Sequence, residues 1–378
     1  FQISSPSFFQ VNSNQIENMK NTILSLIKDN GKHLLVDAYS GVGTFGILLS
    51  EYFENIIGIE QSSSAVIDAK VNIKNIPNYK ILMKLDEVYL KAIFAPEHGF
   101  AGDVSAGQKV DDQKVDDLPL IYSLYGNTKK PTPEMLEGLD LIIYDIQDIG
   151  ARFYTYISTL GLVMEAAAEA EIPVMVLDRP NPLGGEQIEG PILNMKFKSF
   201  VGMYPIPIRY GLTIGELAKM IVGEKWIEAI SQLTVIEMQG WKRSMYFDET
   251  GLTWIKPSPN ISDLETAIFY PGMCLIEGTN VSEGRGTYQP FKKVGAPWYH
   301  NDITKDMNGM KLKGVLFKEI KFKPKSIIGM SENPKYLDEK CIGMEIKLKK
   351  LNLFALLEKA YALILEAFLL SQAIKWKK

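Results

Sequence analysis

Three short polar strings in the first half of the chain carry side chains suited to acid–base chemistry and anion binding. They are Phe-Ala-Pro-Glu-His-Gly from Phe94, Asp-Ile-Gln-Asp-Ile-Gly-Ala-Arg from Asp145, and Asp-Arg-Pro-Asn-Pro from Asp178. Each string follows an apolar run that is typical of a buried strand. Because ligands bind at the carboxyl ends of parallel strands, we expect the three strings to form one polar cleft. Capping and loop hydrogen bonds would explain any one string, but three together favour a site.

Two more strings of this kind lie in the second half. Residues 254–260 read Trp-Ile-Lys-Pro-Ser-Pro-Asn, and residues 277–287 place two carboxylates and an arginine between glycines. Glycines allow backbone amides to point into a site. The alternative is a glycine-rich turn in which Arg285 pairs with Glu277 or Glu283 to stabilise the fold.

A glycine turn near the start of the chain resembles a nucleoside-binding turn. Gly41 and Gly43 follow a predicted strand and precede a predicted helix, so the backbone can approach a ligand closely. Glu60 ends the next strand about twenty residues later, where a carboxylate can accept both hydroxyls of a ribose. A tight turn in any parallel sheet is the alternative, but the acidic strand end favours the nucleoside site.

The apolar pattern predicts the elements that must position these residues. We predict strands over 33–38, 56–60, 92–95, 139–145 and 173–177, and helices over 44–52, 62–73, 153–170 and 213–221. This alternation indicates an α/β fold with a parallel sheet. Residues 102–117 and 180–213 are predicted to be loops. Residues 315–322 and 342–348 alternate apolar and polar side chains, which predicts half-buried strands of a mixed or antiparallel sheet.

The composition excludes several classes of protein. A net charge of −4 provides no basic field for nucleic acid or anionic lipid, and two cysteines and three histidines do not suggest a disulfide framework or a His-rich metal site. The most apolar stretch, residues 351–374, contains charged residues and predicts a buried or amphipathic helix, not a membrane span. No signal peptide is visible before residue 30.

The opening FQISSPSFFQVN, the glycine turn and the string IGIEQ resemble the S-adenosylmethionine-dependent RNA uracil-C5 methyltransferases. The resemblance covers residues 1–83 and implies that the cofactor is held by Gln10, Gly41, Gly43 and Glu60. It does not extend to the family's nucleophilic cysteine or its glutamate base, and Ser40 replaces a cysteine of the family's turn. We therefore expect a remnant that binds S-adenosylmethionine weakly or not at all.

From residue 84 onward, a second resemblance rests on PEHGFAGD, SLYGNTKKPTPEML, DIQDIGARFYTY, VLDRPNPLGG, WIKPSPN, YPGMCLIEGTNVSEGRGT and PFKKVGAPW. These strings resemble the NamZ family of exo-acting β-N-acetylmuramidases. The resemblance implies a Rossmann-like parallel-sheet domain over 84–267, a smaller mixed α/β domain over 268–378 that stops short of the family's usual end, and a cleft between them. It also implies release of N-acetylmuramic acid from the non-reducing end of peptidoglycan fragments, without a cofactor. Such an enzyme would work outside the cell or in the periplasm.

Hydrolysis of a glycoside takes an acid near the leaving oxygen and a second group that stabilises the developing positive charge. We assign the acid to Glu97, because a carboxyl group that follows a buried strand can hold a proton near neutrality. His98 could tune that acid or contact the substrate. Glu277 or Glu283 would serve as the nucleophile or the base.

Alternatively, the 2-acetamido group of the sugar attacks, and Asp145 or Asp148 orients it. The muramic sugar also carries a lactyl carboxylate, which a guanidinium can bind in bidentate fashion. The candidates for this group are Arg152, Arg179 and Arg285, and the remaining predicted substrate contacts are Asn181 and Asn260. We expect a peptidoglycan-derived sugar as the partner, and neither a metal nor nucleic acid.

Three other interpretations stay open at this stage. The chain could be an RNA methyltransferase, which residues 1–83 support and the missing nucleophile opposes. It could be a wall-binding module that keeps the fold without turnover. It could also be an inert chimera, because the change of family between residues 80 and 85 is abrupt.

Overall fold

The computed structural model describes residues 20–21, 23–24, 34–38, 40–60, 62–81, 89–115, 118–227, 232–299 and 302–349. Gln10 and the helix predicted over 351–374 lie outside the described residues. The chain forms two compact units, residues 1–91 and residues 92–378.

The first unit is a parallel α/β arrangement, as the apolar pattern predicts. Its parallel strands lie in the order β1 (Leu34–Ala38), β2 (Asn55–Ile59) and β3 (Tyr79–Ile81). Helix α1 (Thr44–Leu48) follows β1, and α2 (Ser63–Asn72) follows β2 with the Ser62 side chain as its N-cap. The buried core beneath these elements comprises Leu49, Phe53, Ile56, Val66, Ala69 and Tyr79.

Helix α1 is shorter than the helix predicted over 44–52. The Ser50 hydroxyl donates to the carbonyl of Ile47 at 2.7 Å, a carbonyl that would otherwise accept the next helical hydrogen bond. The chain then continues as a 3-10 turn, Ser50–Tyr52.

The described residues of the second unit form two parallel sheets and one antiparallel sheet. The parallel sheets are the pair β4 (Ile93–Ala95) and β5 (Ile121–Ser123), and the ordered set β6 (Ile142–Tyr144), β7 (Val174–Leu177) and β8 (Leu233–Ile236). The antiparallel sheet has the order β10-β11-β9, formed by β9 (Lys293–Ala296), β10 (Val315–Phe322) and β11 (Cys341–Leu348). Both the parallel strands and the later change to antiparallel pairing are confirmed.

Among the described residues, five helices pack on these sheets. They are α3 (Pro133–Leu136), α4 (Tyr156–Glu169), α5 (Ile214–Gly223), α6 (Leu264–Met273) and α7 (Asp302–Gly309). One buried core joins α4 and α5 to β6 and β7, and a second joins α6 and α7 to the antiparallel sheet. None of the helices within the described ranges is long and apolar enough to cross a membrane.

Helix α5 begins with the capping box that the sequence predicts. The Thr213 hydroxyl accepts from the Glu216 amide at 3.2 Å, and the Glu216 carboxylate accepts from the Thr213 amide at 3.0 Å. These two bonds satisfy amides that the first turn of a helix leaves without partners.

The loop between β6 and α4 is longer than predicted. Strand β6 ends at Tyr144 and α4 begins at Tyr156, whereas the sequence predicts a strand over 139–145 and a helix over 153–170. The Arg152 amide donates to the carbonyl of Ile208 at 2.8 Å, as part of a short bridge between these two segments. The chain then turns over residues 152–155, where the Tyr154 amide donates to the carbonyl of Ala151 at 2.9 Å, and the helix begins only at Tyr156.

Asp148 lies in this loop with its carboxyl group inside the protein. It is 5% exposed, and its Oδ2 accepts hydrogen bonds from the Gly150 amide, at 2.7 Å, and from the Tyr210 hydroxyl. Burial raises the pKa of Asp148 to about 6, although both hydrogen bonds oppose that shift.

Gly343 in β11 provides a test of the antiparallel sheet. A Cβ at this position would lie 1.9 Å from the carbonyl oxygen of Val294 in the neighbouring strand, so we expect Gly343→Ala to lower the free energy of unfolding by roughly 1–3 kcal/mol. The matched control is Gly223→Ala at the end of α5, where no atom lies within 4 Å of the added carbon. Thermal unfolding followed by circular dichroism measures both. A Gly343→Ala protein that melts like the control would contradict the close strand approach.

Asp148 predicts a pH dependence of stability. The pKa of Asp148 is about 6 in the folded protein, above the ordinary value of 3.8. The protonated carboxyl group therefore contributes fully to the free energy of unfolding below pH 4, and this contribution is lost as the pH rises through 6. The loss amounts to roughly 3 kcal/mol. Asp148→Asn carries no such titration, so its melting temperature should rise relative to wild type between pH 4 and pH 6. A difference that stays constant across this range would contradict the buried carboxyl.

Candidate active site

An open cavity of about 760 Å³ lies within the second unit. Its wall includes the loops that follow β4 and β5, the start of α4, and the turn that follows α6. Both predicted domains, 84–267 and 268–378, contribute to it. The residues predicted from the sequence that line it are Glu97, His98, Asn260, Glu277, Glu283 and Arg285.

Two other predicted residues, Asp145 and Arg179, do not line this cavity. They form an ion pair with each other at 2.6 Å, and their side chains are 45% and 39% exposed. The strand ends of β6 and β7 thus meet each other, as predicted, but not at the wall that holds Glu97.

Asp148, Arg152 and Asn181 also lie away from the cavity lining. Arg152 Nη1 donates to two backbone carbonyls, at 2.7 and 2.6 Å, and the buried Asn181 side chain bonds to the backbone at 2.9 and 3.0 Å. These contacts order the loops around β6 and β7. A direct contact of these residues with substrate stays a prediction.

Glu97 sits directly beyond β4 and is only 8% exposed. Its Oε1 accepts from the Gly107 amide at 2.9 Å, and its Oε2 accepts from the Thr155 hydroxyl at 2.7 Å. The Tyr125 hydroxyl lies near this carboxyl group. Both donors are neutral, so the group is held in place by dipoles rather than by an opposing charge.

Tyr125 is a residue that the sequence interpretation missed. Burial and the nearby Glu97 charge raise the pKa of Tyr125 to about 12, so its phenol stays protonated at neutral pH. Tyr125 follows β5 in the same way that Glu97 follows β4, and the two strands are paired in parallel. Because ligands bind at the carboxyl ends of parallel strands, the position of Tyr125 just after β5 would have identified it.

His98 is held in one tautomer. Its Nδ1 lies 2.7 Å from the carbonyl of Val104, and because a carbonyl only accepts, Nδ1 carries the proton. Burial lowers the pKa of His98, and the charge of Arg285 lowers it further while Glu97 acts in the opposite direction. The imidazole is therefore neutral near pH 7, with a lone pair on Nε2.

Another part of the lining carries an ion-pair cluster around Arg285. Arg285 Nε and Nη2 each lie 2.7 Å from Glu277 Oε1, and Nε lies 3.7 Å from Glu283 Oε1. Burial opposes the charge of Arg285, but the two carboxylates raise its pKa above the ordinary value. The pairing that the sequence left as an alternative for Arg285 is present in the structure.

Lys335 completes this cluster and was also missed. Its Nζ lies 2.9 Å from Glu283 Oε2 and donates to the carbonyls of Ile276 and Val281 at 3.1 and 2.8 Å. Glu283, which is 3% exposed, thus lies between Lys335 and Arg285. A single lysine in a loop has no sequence signal that identifies it as part of a site.

Buried polar atoms in the cavity wall are available to a ligand. Asn260 Nδ2 donates to the carbonyl of Met330 at 2.7 Å, which fixes the amide orientation. Within the described part of the chain, Asn260 Oδ1 and Ser105 Oγ have no hydrogen-bond partner. Because unpaired buried polar atoms cost free energy, a bound hydroxyl or amide would be stabilised here.

In the first unit, the structure brings three of the predicted cofactor residues together. Glu60 accepts from the Gly41 amide at 2.7 Å and from the Ser62 amide at 2.6 Å, one bond to each carboxylate oxygen. Gly43 adopts a left-handed φ of 88° directly before α1. Each oxygen keeps a second lone pair, so a ribose would share Glu60 with the backbone of the turn.

Within the described residues, no group of three or more His, Cys, Asp or Glu side chains is arranged to hold a metal ion.

Family models match most of the chain. The model for the N-terminal domain of exo-beta-N-acetylmuramidase NamZ matches residues 65–265, and that for its C-terminal domain matches residues 268–378. A model for tRNA (uracil-5-)-methyltransferases matches residues 1–95.

Curated relatives show the same division. The chain is 50% identical over 260 residues to the peptidoglycan beta-N-acetylmuramidase NamZ of Bacillus subtilis, an alignment that covers 68% of this chain and 62% of that protein. It is 40% identical over 74 residues to an uncharacterized RNA methyltransferase of Protochlamydia amoebophila, which covers 20% of this chain and 17% of that protein. The chain thus spans less than two thirds of the length of each of these relatives.

Solved structures agree with the larger match. A DUF1343 family protein of Bacteroides fragilis superposes with a TM-score of 0.67 at 34% identity, covering 94% of this chain and 81% of that one. A second such protein of the same organism gives a TM-score of 0.55 at 32% identity, covering 87% and 75%. With both family domains matched in order and an α/β fold shared with these structures, the chain belongs to the NamZ family of exo-beta-N-acetylmuramidases.

Proposed function

We propose that the chain hydrolyses the terminal β-N-acetylmuraminide bond of peptidoglycan fragments and releases N-acetylmuramic acid. The observation that carries this proposal is the cavity, whose polar lining includes both Glu97 and Glu283. The similarity to the Bacillus subtilis peptidoglycan beta-N-acetylmuramidase supports the substrate class.

The two carboxyl groups have different surroundings, which suits two different roles. Glu97 receives hydrogen bonds from neutral donors, whereas Glu283 lies between two cations. An anion fixed between cations is poorly suited to donate a proton. We therefore assign the general acid to Glu97, which would protonate the leaving glycosidic oxygen.

The second role, that of the nucleophile or the base, then belongs to the ion-pair cluster around Arg285. Lys335 and Arg285 fix the position of the Glu283 carboxylate, and a fixed position is what an oriented reaction requires. Glu277 bonds mainly to Arg285, so it acts through that guanidinium. Asn260 Oδ1 would accept from the acetamido group or from a sugar hydroxyl.

The general acid is tested by Glu97→Gln. The change keeps the size of the side chain and removes its proton, so kcat/KM on a natural disaccharide should fall by about two orders of magnitude or more. A phenolate leaves without protonation, so the loss should be smaller on an aryl β-N-acetylmuraminide. The matched control is Glu137→Gln, an exposed residue that follows α3 and does not line the cavity.

Two readouts decide the result. Melting temperatures show whether Glu97→Gln is folded, and kinetics on both substrates give the two losses. A folded Glu97→Gln protein with wild-type turnover of the disaccharide would remove Glu97 from the mechanism.

A separate prediction concerns the first unit and its resemblance to methyltransferases. S-adenosylmethionine should bind the full chain more weakly than roughly 100 μM, because Glu60 already accepts two backbone hydrogen bonds and the resemblance ends near residue 83. Isothermal titration calorimetry measures this, with Glu60→Ala as the baseline for nonspecific heat. Micromolar binding that Glu60→Ala abolishes would contradict the weak remnant.

A further inference from the structure

A muramic sugar differs from a glucosamine sugar by the lactyl group on C3, which ends in a carboxylate. An enzyme that distinguishes the two sugars by charge needs a cation that is not already neutralised. Both cations in the cavity lining, Arg285 and Lys335, lie within 4 Å of a carboxylate of the protein. A cation that is free to bind the lactyl carboxylate must therefore come from a residue beside the lining.

Lys129 is not part of the cavity lining, but it lies over the ring of Tyr125, which is. Its Nζ is 5.5 Å from the centroid of that ring and 4.1 Å from the centroid of the Phe200 ring. Among the described residues, no carboxylate lies within 4 Å of this ammonium. Aromatic faces attract a cation without cancelling its charge, so the ammonium is positioned and still available to an anion.

The backbone that carries Lys129 is anchored on both sides. The Tyr125 amide donates to the Ser123 hydroxyl at 3.1 Å, at the end of β5. The next residue, Lys130, forms ion pairs with Glu165 and Glu169 of α4 at 2.6 and 2.7 Å. The loop is therefore tied to a strand and to a helix, which limits the positions that the Lys129 side chain can reach.

Tyr125 places this cation near the proposed acid. Tyr125 and Glu97 each lie two residues beyond the paired strand ends Ser123 and Ala95, and both line the cavity. Lys129 lies over the ring of Tyr125, so its ammonium is near the part of the cavity that holds Glu97. In a muramic sugar, the scissile oxygen on C1 and the lactyl ether on C3 belong to the same six-membered ring, so the groups that bind them must lie near each other.

We propose that Lys129 binds the lactyl carboxylate of the terminal sugar while Glu97 faces the glycosidic oxygen, which makes Lys129 a specificity-determining residue. This inference rests on the proposed function. It assigns the recognition of the lactyl group to a residue other than the three arginines considered from the sequence.

The test compares two substrates with the same aryl leaving group, a β-N-acetylmuraminide and a β-N-acetylglucosaminide, in the full chain. Lys129→Met keeps the alkyl stem over the rings and removes the charge. The ratio of kcat/KM for the muraminide to that for the glucosaminide should fall about 10- to 100-fold, mainly through a higher KM for the muraminide. Lys129→Arg should restore most of the ratio. Lys305→Met, an exposed lysine of α7 that does not line the cavity, should leave the ratio unchanged.

A muraminide whose lactyl group is a methyl ester gives an independent measurement. The wild-type enzyme should treat this neutral substrate as Lys129→Met treats the acid. Equal losses on both sugars, or a ratio that Lys129→Met does not change, would overturn the assignment.

Binding separates this inference from the proposed function. If the wild-type chain cleaves neither substrate, the proposed hydrolysis is wrong. Calorimetry with free N-acetylmuramic acid and N-acetylglucosamine then decides the role of Lys129. Tighter binding of the acid that Lys129→Met abolishes supports it, and binding that is the same in both proteins, or absent from both, overturns it.

Discussion

The hydrogen bonds to the Glu97 carboxyl group connect the parts of the chain that form one wall of the cavity. Gly107 and Thr155 reach this group from a loop and from the start of a helix. A buried carboxyl group is tolerated only when its oxygens are satisfied, so the two donors and the acceptor depend on one another. A change that breaks one of these hydrogen bonds would therefore alter both the shape of this wall and the position of the proposed acid.

The other wall is organised by charge. Arg285 and Lys335 hold Glu277 and Glu283 in an ion-pair cluster that also binds two backbone carbonyls. The removal of one member of such a cluster leaves a partly buried charge without compensation, which is costlier than the loss of a surface ion pair. The cavity thus contains one carboxyl group among neutral dipoles, Glu97, and one carboxylate among cations, Glu283. Enzymes use such a difference in surroundings to assign the acid role to one group and the base role to the other.

The arrangement of strands could be predicted because short apolar runs that alternate with helical patterns are typical of a parallel sheet. Strand β6 is nonetheless buried on one face only, since Ile143 is 56% exposed. Polar residues at strand ends and between glycines identified six residues that line the cavity. The contact between Lys335 and Glu283 spans 52 positions and leaves no pattern along the chain. The loop before α4 was predicted too short for a similar reason, since the bond from Arg152 to Ile208 depends on tertiary structure. The roles of the site residues, and the division into domains at residues 83 and 267, stay predictions.

His98 has a φ of 76°, in the left-handed region that residues other than glycine rarely occupy. This conformation costs on the order of 1–3 kcal/mol, and the surrounding contacts must offset that cost. The glycine that follows has a similar φ of 77°, so the chain turns sharply directly after the proposed acid. A search for thermostable variants without selection for activity would favour glycine or asparagine at position 98. Selection for stability alone would therefore remove the imidazole that lies beside the proposed acid.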